Sequence, residues 1–126
     1  MSYFIYKELS NKVLNLAFAV HSRMGPGLLE SAYEGAFCVE LKYACIPFIR
    51  QKVYPLVYKS EYIGAYIADI VIDDKIIIEL KSVKSLSPLM EAQLINYLKL
   101  SGIHVGYLFN FNALRLTWKR YVNKRE

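Results

Sequence analysis

Two acidic residues and a lysine stand out in the largely apolar segment from Tyr66 to Lys81. Asp69 lies within an otherwise apolar stretch that ends at Ile72, and Glu79 and Lys81 are two residues apart in the next apolar run. Because side chains alternate across a strand, Glu79 and Lys81 share one face. Charges at such positions are costly unless they are paired or bind an ion. Three such charges on two neighbouring strands therefore indicate either paired side chains or a bound ion.

Asp69 and Glu79 can share a site only if the connection between their strands has the right length. A two-residue turn at Asp73-Asp74 would place Asp69 opposite Ile78, and the two carboxylates would then point to opposite faces. A three-residue loop, Asp73–Lys75, or a bulge would place Asp69 opposite Glu79. Aspartate suits turns, but without a glycine the two-residue turn is not strongly favoured. We therefore predict the three-residue loop.

The elements that must position these residues follow from the hydrophobic pattern. Their order, ααβββαβ with one further tail element, predicts an α/β or α+β fold with a mixed sheet. Ser87 is the expected N-cap of the third helix, Pro88 its first residue and Gly102 its end. The predicted helices are Glu8–Arg23, Leu29–Tyr43 and Pro88–Leu100; the strands are Phe48–Tyr58, Tyr62–Ile72, Lys75–Lys81 and His104–Phe111, with a final strand or short helix at Leu114–Tyr121.

The ordered set of motifs resembles the PD-(D/E)XK nuclease superfamily. Its centre is the spacing D-x₉-E-x-K from Asp69 to Lys81, preceded by a helix that carries an acid and followed by a helix that carries a glutamine. More narrowly, the segment from Gly27 to Tyr33 is similar to the signature that names the GxxExxY proteins, a branch of that superfamily. The resemblance extends over nearly the whole chain. Further matches are Ala68-Asp69, Glu79 to Ser82, Glu91 to Leu98, and Asn110 to Asn112.

The resemblance implies a restriction-endonuclease-like αβββαβ core with an extra N-terminal helix, and a metal-dependent nuclease for which DNA is the expected substrate. It implies Asp69, Glu79 and the backbone carbonyl of Leu80 as ligands of Mg²⁺ or Mn²⁺. Lys81 would orient the attacking water and offset phosphate charge. Ile67 departs from the family, whose members often have a basic residue there. The other expected site residues are Glu30 in the acidic cluster (with Glu34 as the alternative acid), Gln93 as a hydrogen-bonding residue, and Tyr33, Lys84, Lys119 and Arg120 as substrate contacts.

Each candidate residue also has a structural explanation. An isolated E-x-K pair lies at a solvated strand end in roughly ten cases to one, and Asp69 could protect a strand edge from aggregation. Glu30 could simply favour the N-terminus of its helix, and Gln93 could face solvent. All of these explanations would have to hold at once, and in the family's order, so the metal site is favoured. The alternative function is a catalytically silent module that keeps the nuclease fold and binds nucleic acid or a protein partner.

Composition predicts one domain of 126 residues with a basic surface. The net charge of +5 and the pI near 9.2 favour a polyanionic partner, because clustered cations release counterions from phosphates. A chain this small has little surface for recognition beyond its core, so a homodimer is a further expectation. The densest basic patch, equally explained as a solvated terminus, comprises Lys119, Arg120, Lys124 and Arg125.

The cysteines and the absence of targeting patterns predict a cytoplasmic protein. Cys38 and Cys45 have neither zinc-ligand spacing nor nearby histidines, and they fit buried free thiols in a reducing compartment. No apolar run approaches the roughly 20 residues that are needed to span a bilayer. The N-terminus lacks the basic-then-apolar pattern of a signal peptide.

Overall fold

The computed structural model describes residues 4–123, which form three helices and five strands. Their order is the predicted ααβββαβ arrangement, and the tail element is a strand. The basic residues Lys124 and Arg125 lie outside the described part of the chain. The elements are α1 Lys7–Met24, α2 Glu30–Tyr43, β1 Phe48–Tyr58, β2 Glu61–Ile72, β3 Ile76–Lys81, α3 Pro88–Ser101, β4 Val105–Asn110 and β5 Thr117–Val122.

The five strands form one mixed sheet in the order β1-β2-β3-β4-β5. Neighbouring strands are antiparallel except β3 and β4, which are parallel. A parallel pair needs a crossover connection, and α3 supplies it. The predicted α+β fold with a mixed sheet is confirmed. The carboxyl ends of β3 and β4 therefore lie at the same edge of the sheet.

The connection between β2 and β3 has the predicted length. Ile72 pairs with Ile76, so the loop comprises the three residues Asp73–Lys75. Asp73 and Asp74 both adopt the left-handed conformation, with φ of 50° and 53°, which aspartate tolerates better than most side chains. The loop is closed by a hydrogen bond of 2.9 Å from Lys75 N to Ile72 O. This register places Asp69 and Glu79 at the same level of the sheet.

Helices cover both faces of the sheet, and two apolar clusters hold them there. The cluster on the first face joins α1 and α2 to the sheet through residues such as Ala17, Phe37, Ile70, Ile78 and Phe109. The cluster on the second face joins α3 to the sheet through Leu94, Leu98, Ala68, Ile77 and Leu108. Residues on both faces of β3 are buried, as expected for a central strand with helices on either side.

Helix α3 begins and ends where the sequence predicts. The Ser87 side chain accepts a hydrogen bond of 3.2 Å from Met90 N, and Pro88 is the first helical residue. Gly102 ends the helix in the left-handed conformation with φ of 75°. The helix packs so closely on β4 that a Cβ on Gly106 would lie 2.9 Å from Leu94 Cδ1. A glycine in β4 thus allows α3 to approach the sheet.

The prediction for the cysteines is only partly right. Both are free; Cys38, a residue of α2, is buried against the core, but Cys45 is exposed. The chain turns at Cys45 between α2 and β1 with a φ of 57°, and this turn carries the side chain away from the core. Within residues 4–123, no helix is both long and apolar enough to cross a membrane.

Candidate metal and active site

The strands β2 and β3 separate where the two acidic residues lie. Their pairing ends with Ile70 opposite Ile78, one residue before Asp69 and Glu79. Beyond that point, hydrogen bonds from backbone amides to the two acidic side chains take the place of backbone-to-backbone hydrogen bonds. Asp69 N donates to Glu79 Oε2 at 3.2 Å, and Leu80 N donates to Asp69 Oδ2 at 2.8 Å. The two carboxylates therefore converge on the gap between the strands.

Glu79 is buried on the face that α3 covers. Only 7% of its surface is exposed, and its Oε2 accepts a hydrogen bond of 2.6 Å from the Tyr66 hydroxyl. The Tyr66 ring stacks on Tyr97 of α3, with ring centroids 3.5 Å apart. Burial and the neighbouring charge of Asp69 raise the pKa of Glu79 to about 7, although the hydrogen bonds from Tyr66 and Asp69 N favour the ionised form.

The pKa of Asp69 is raised for similar reasons. Burial raises its pKa, and the negative charges of Glu34 and Glu30 raise it further. The hydrogen bond from Leu80 N and the positive charge of Lys81 act in the opposite direction. Asp69 and Glu79 repel each other when both are ionised, and a bound cation would relieve that repulsion.

Two glutamates in the N-terminal half of α2 lie beside this site. Glu30, at the first position of the helix, accepts a hydrogen bond of 3.2 Å from Ser82 N just after β3. Ser82 Oγ in turn donates to Leu28 O at 2.7 Å. One turn further along α2, Glu34 is buried and accepts hydrogen bonds from Arg50 Nε at 2.5 Å and from Gln51 Nε2 at 2.8 Å. Glu34 is thus already neutralised by the protein, whereas Glu30 is exposed.

The end of β3 brings two further groups to the gap. Lys81 is half-buried, lies on the same strand face as Glu79, and lowers the pKa of both acidic residues through its charge. The Lys81 carbonyl accepts a hydrogen bond of 2.9 Å from Phe111 N on the β4 side. Since successive carbonyls along a strand point to opposite neighbours, the Leu80 carbonyl points towards β2 and Asp69.

The donor set suits a hard divalent cation. Asp69 and Glu79 each use one carboxylate oxygen for hydrogen bonds, and the other oxygen of each receives no protein hydrogen bond within residues 4–123. Oxygen ligands of this kind, together with a backbone carbonyl, suit Mg²⁺ or Mn²⁺. In the same part of the chain, no three His, Cys, Asp or Glu side chains are grouped closely enough to hold a metal ion by themselves. Any ion here would therefore rely on the two carboxylates, the carbonyl and water.

The sequence of this chain matches the model of a known protein family. The family model of the PD-(D/E)XK nuclease superfamily matches residues 7–121. The chain belongs to this superfamily. Among curated proteins, no significant match was found.

A solved structure supports the assignment at the level of the fold. The crystal structure of SSO0001 superposes on this chain with a TM-score of 0.58 at 18% sequence identity. The superposition covers 95% of this chain and 60% of that protein, so this chain spans a little under two thirds of its length. At this identity the likeness concerns the fold alone.

Two residues that the superfamily resemblance assigns to the site form no hydrogen bond with Asp69 or Glu79 within residues 4–123. Gln93 of α3 is exposed and forms no hydrogen bond to any residue from 4 to 123; it lies one helical turn before Tyr97. Tyr33 has no exposed surface, and its ring stacks on Phe111. Its hydroxyl donates to Gly25 O at 2.6 Å and accepts from Leu28 N at 3.2 Å. Tyr33 therefore holds the loop between α1 and α2, and this geometry gives its predicted contact with substrate no support.

The three basic residues that we expected to contact substrate occupy different surfaces. Lys84 is exposed in the loop after β3. Lys119 of β5 is opposite Leu108, which in turn is beside Glu79, so it lies on the Glu79 face of the sheet. Arg120 points to the other face, where Nη2 donates to Ile5 O at 2.8 Å. Of the pair on β5, only Lys119 faces the candidate site.

Several residues around the site were missed by sequence reasoning. Tyr66 and Tyr97 enclose Glu79, and Arg50 binds Glu34 from a strand 16 positions further along the chain. Asn110, at the end of β4, is 2% exposed and holds the loop after β3 through hydrogen bonds with both backbone groups of Val83. Tyr97 and Asn110 do lie within the matching motifs, and that was the available signal for them.

Proposed function

We propose that this protein is a metal-dependent nuclease that hydrolyses phosphodiester bonds in nucleic acid, with DNA as the expected substrate. The observation that carries the proposal is the convergence of Asp69 and Glu79 at the gap between β2 and β3, linked by hydrogen bonds of 3.2 and 2.8 Å. Two desolvated carboxylates with raised pKa values and a nearby lysine form an arrangement that a purely structural role does not require.

Asp69, Glu79 and the Leu80 carbonyl would hold Mg²⁺ or Mn²⁺. When bound, the ion supplies Lewis acidity at the scissile phosphate. Lys81 would hydrogen-bond the attacking water and place positive charge beside the phosphate oxygens, whose negative charge grows in the transition state. Both roles fit the position of Lys81 on the same strand face as Glu79, at the open end of β3.

The residues on the helices would support this centre. Glu30 fits the role of the additional acid better than Glu34. Glu30 is exposed and, within residues 4–123, accepts one backbone hydrogen bond, whereas Arg50 and Gln51 both bind Glu34. Gln93, one turn before Tyr97 on α3, would hydrogen-bond into the site. Apo active sites often tighten only when substrate binds, so this remains an expected contact.

The basic surface beside the site would bind the phosphate backbone. Lys119 lies two strands away from Glu79 on the same face, which corresponds to roughly 10 Å at the usual strand spacing. Lys84 is exposed in the loop that follows β3 and would be a further contact. The net charge of +5 agrees with a polyanionic substrate. Placement in the GxxExxY branch and a cytoplasmic location remain predictions from the sequence.

A cleavage assay tests the proposal. Single-stranded, double-stranded and branched DNA and RNA are incubated with the protein and Mg²⁺ or Mn²⁺, beside the Asp69→Asn variant. Cleavage of at least one substrate that requires the metal and disappears in the variant supports a nuclease. Equal cleavage by the variant, or no cleavage of any substrate with either metal, contradicts it.

The second candidate function is a catalytically silent module that binds nucleic acid or a protein partner. The observation in its favour is that Gln93 is exposed and forms no hydrogen bond to the acidic residues within residues 4–123, and that the described residues group no three metal-binding side chains. Binding of DNA that weakens steeply with salt, without cleavage in the assay above, selects this function. The intact set of Asp69, Glu79 and Lys81 favours the nuclease.

A further inference from the structure

Tyr66 connects Glu79 to a group of stacked aromatic rings. Tyr66 is 6% exposed, and its ring is stacked against Tyr54 of β1 and against Tyr97 of α3, with interplanar angles of 14° and 12°. The rings come from three separate elements, and packing of this kind restricts the rotation of the Tyr66 side chain. The Tyr66 hydroxyl is therefore held in place, 2.6 Å from Glu79 Oε2.

The two carboxylate oxygens of Glu79 have different surroundings. Oε2 accepts the hydrogen bond from the Tyr66 hydroxyl and a second one of 3.2 Å from Asp69 N. Oε1 accepts no hydrogen bond from any residue between 4 and 123. A phenol is protonated at neutral pH and donates its single proton, so both of these bonds hold Oε2. Oε1 is the oxygen that is left for a ligand from outside the protein.

We propose that Tyr66 is a positioning residue that restricts Glu79 to binding a divalent cation through Oε1 alone, and that it thereby sets the selectivity of the site among cations. This inference rests on the metal site of the proposed function. A carboxylate that uses one oxygen suits Mg²⁺ and Mn²⁺, which favour octahedral coordination, and Mg²⁺ in particular retains several waters. Ca²⁺ takes more oxygens at longer distances and often uses both oxygens of one carboxylate. Tyr66 would therefore disfavour Ca²⁺ relative to the smaller ions.

A purely structural role of the Tyr66 hydroxyl would have a different consequence. A hydroxyl that served only to satisfy a buried acid would alter the affinity for every cation to the same extent. A hydroxyl that limits how Glu79 coordinates the ion alters the ratio between cations instead, because the two ions differ in the number of oxygens they take. Without this hydroxyl, Oε2 keeps only the longer bond from Asp69 N, and Glu79 could use both oxygens for a larger ion.

Calorimetric titrations of Mn²⁺ and of Ca²⁺ into the metal-free protein test the proposal through the ratio of the two affinities. Tyr66→Phe removes the hydroxyl and keeps the ring in the stack. It should weaken Mn²⁺ binding by about tenfold, as the loss of a hydrogen bond to a metal ligand commonly does, and Ca²⁺ binding by at most about twofold. The preference for Mn²⁺ over Ca²⁺ should therefore fall at least about fivefold.

Two further variants control this measurement. Tyr54→Phe removes a hydroxyl from the neighbouring ring, and within residues 4–123 this hydroxyl forms no hydrogen bond to Asp69 or Glu79. The ratio should be unchanged in Tyr54→Phe. Tyr97→Leu removes a ring that holds Tyr66 in place but leaves the Tyr66 hydroxyl, so the ratio should fall by less than in Tyr66→Phe. The melting temperature of each metal-free variant shows whether it is folded.

The outcomes separate this inference from the proposed metal site. A ratio that falls in Tyr66→Phe and not in Tyr54→Phe supports the inference. Equal weakening of both cations in folded Tyr66→Phe, an unchanged ratio, or an equal fall in Tyr54→Phe overturns it, while Mn²⁺ binding by the wild type keeps the metal site. If Tyr66→Phe does not fold, the ratio in Tyr97→Leu decides in the same way. A wild type that binds no Mn²⁺ overturns the metal site and this inference together.

Discussion

Glu34 and Glu79 are equally buried, each with 7% of its surface exposed, yet their surroundings differ. Glu34 is held by a guanidinium and an amide, from Arg50 and Gln51. Among residues 4–123, Glu79 accepts hydrogen bonds from neutral donors alone, and its charged neighbours are Lys81 and Asp69, whose charge repels it. A buried carboxylate that the protein neutralises is part of the structure, whereas one left beside another acid is suited to a cation from outside.

The largest expected difference between the two residues is in catalysis. Glu79→Ala should lower the cleavage rate by roughly 10²–10⁴-fold, because it would remove a proposed metal ligand. Binding of nucleic acid should stay within a few-fold. Glu34→Gln keeps the shape of the side chain and should retain most of the activity. Single-turnover cleavage and a binding titration measure both quantities; similar rate losses in the two variants would remove the distinction.

The pH dependence of stability should reveal the unpaired acid. A carboxyl group whose pKa is raised by folding binds protons more tightly in the folded than in the unfolded state, so stability falls as pH rises from the unfolded value through about 7. Without metal, ionisation of Glu79 should therefore lower the free energy of unfolding by roughly 2–4 kcal/mol as the pH rises from 4.5 to above 7. Glu79→Gln should flatten this dependence in urea unfolding with a chelator present. A wild-type protein that gains stability across this range would contradict the assignment.

Removal of Arg50, the charged partner of Glu34, should lower the free energy of unfolding rather than the cleavage rate. Arg50→Met leaves Glu34 buried without its charged partner, which should cost about 1–3 kcal/mol, reduced from a fully buried pair because Arg50 is 46% exposed. Glu34→Gln combined with Arg50→Met should recover part of the loss, since no unpaired charge remains. Denaturant unfolding of the two single variants and the double variant measures the coupling. Additive effects would show that the pair contributes little.

The smallest expected effect is thermal stabilisation by metal. Millimolar Mg²⁺ or Mn²⁺ should raise the melting temperature by a few degrees, as expected for about 1 kcal/mol of ligand binding in a domain of this size. Asp69→Asn should abolish the increase, and Glu34→Gln should retain it. Differential scanning fluorimetry at pH 7.5 makes the comparison. No increase in the wild type would weaken the case for a metal site.

The fold was predictable to the extent that local signals determine it. The turn chemistry of Asp73-Asp74 and the caps Ser87 and Gly102 act within a few residues, and alternation of side chains determined the face of Glu79. The register of β2 on β3 followed from these local rules and was confirmed. The exposure of Cys45 was missed, because it depends on how the chain turns between α2 and β1.

The surroundings of the site were harder to predict, because they depend on contacts between distant residues. The Arg50–Glu34 pair and the stacking of Tyr66 on Tyr97 join separate elements, and no local pattern reports them. Tyr33 matched a family motif, but the motif does not say that its hydroxyl binds the backbone of Gly25. Motifs therefore located the candidate acids, and only the structure separates the paired acid from the unpaired ones.

The most direct test of the account is a calorimetric titration of Mn²⁺ into the wild type and into Asp69→Asn, Glu79→Gln and Glu34→Gln. The account predicts binding in the wild type and in Glu34→Gln, and a loss of at least about tenfold in affinity for Asp69→Asn and Glu79→Gln, because those two carboxylates would share the ion. Unchanged binding in either of these variants, or loss of binding in Glu34→Gln alone, would contradict it.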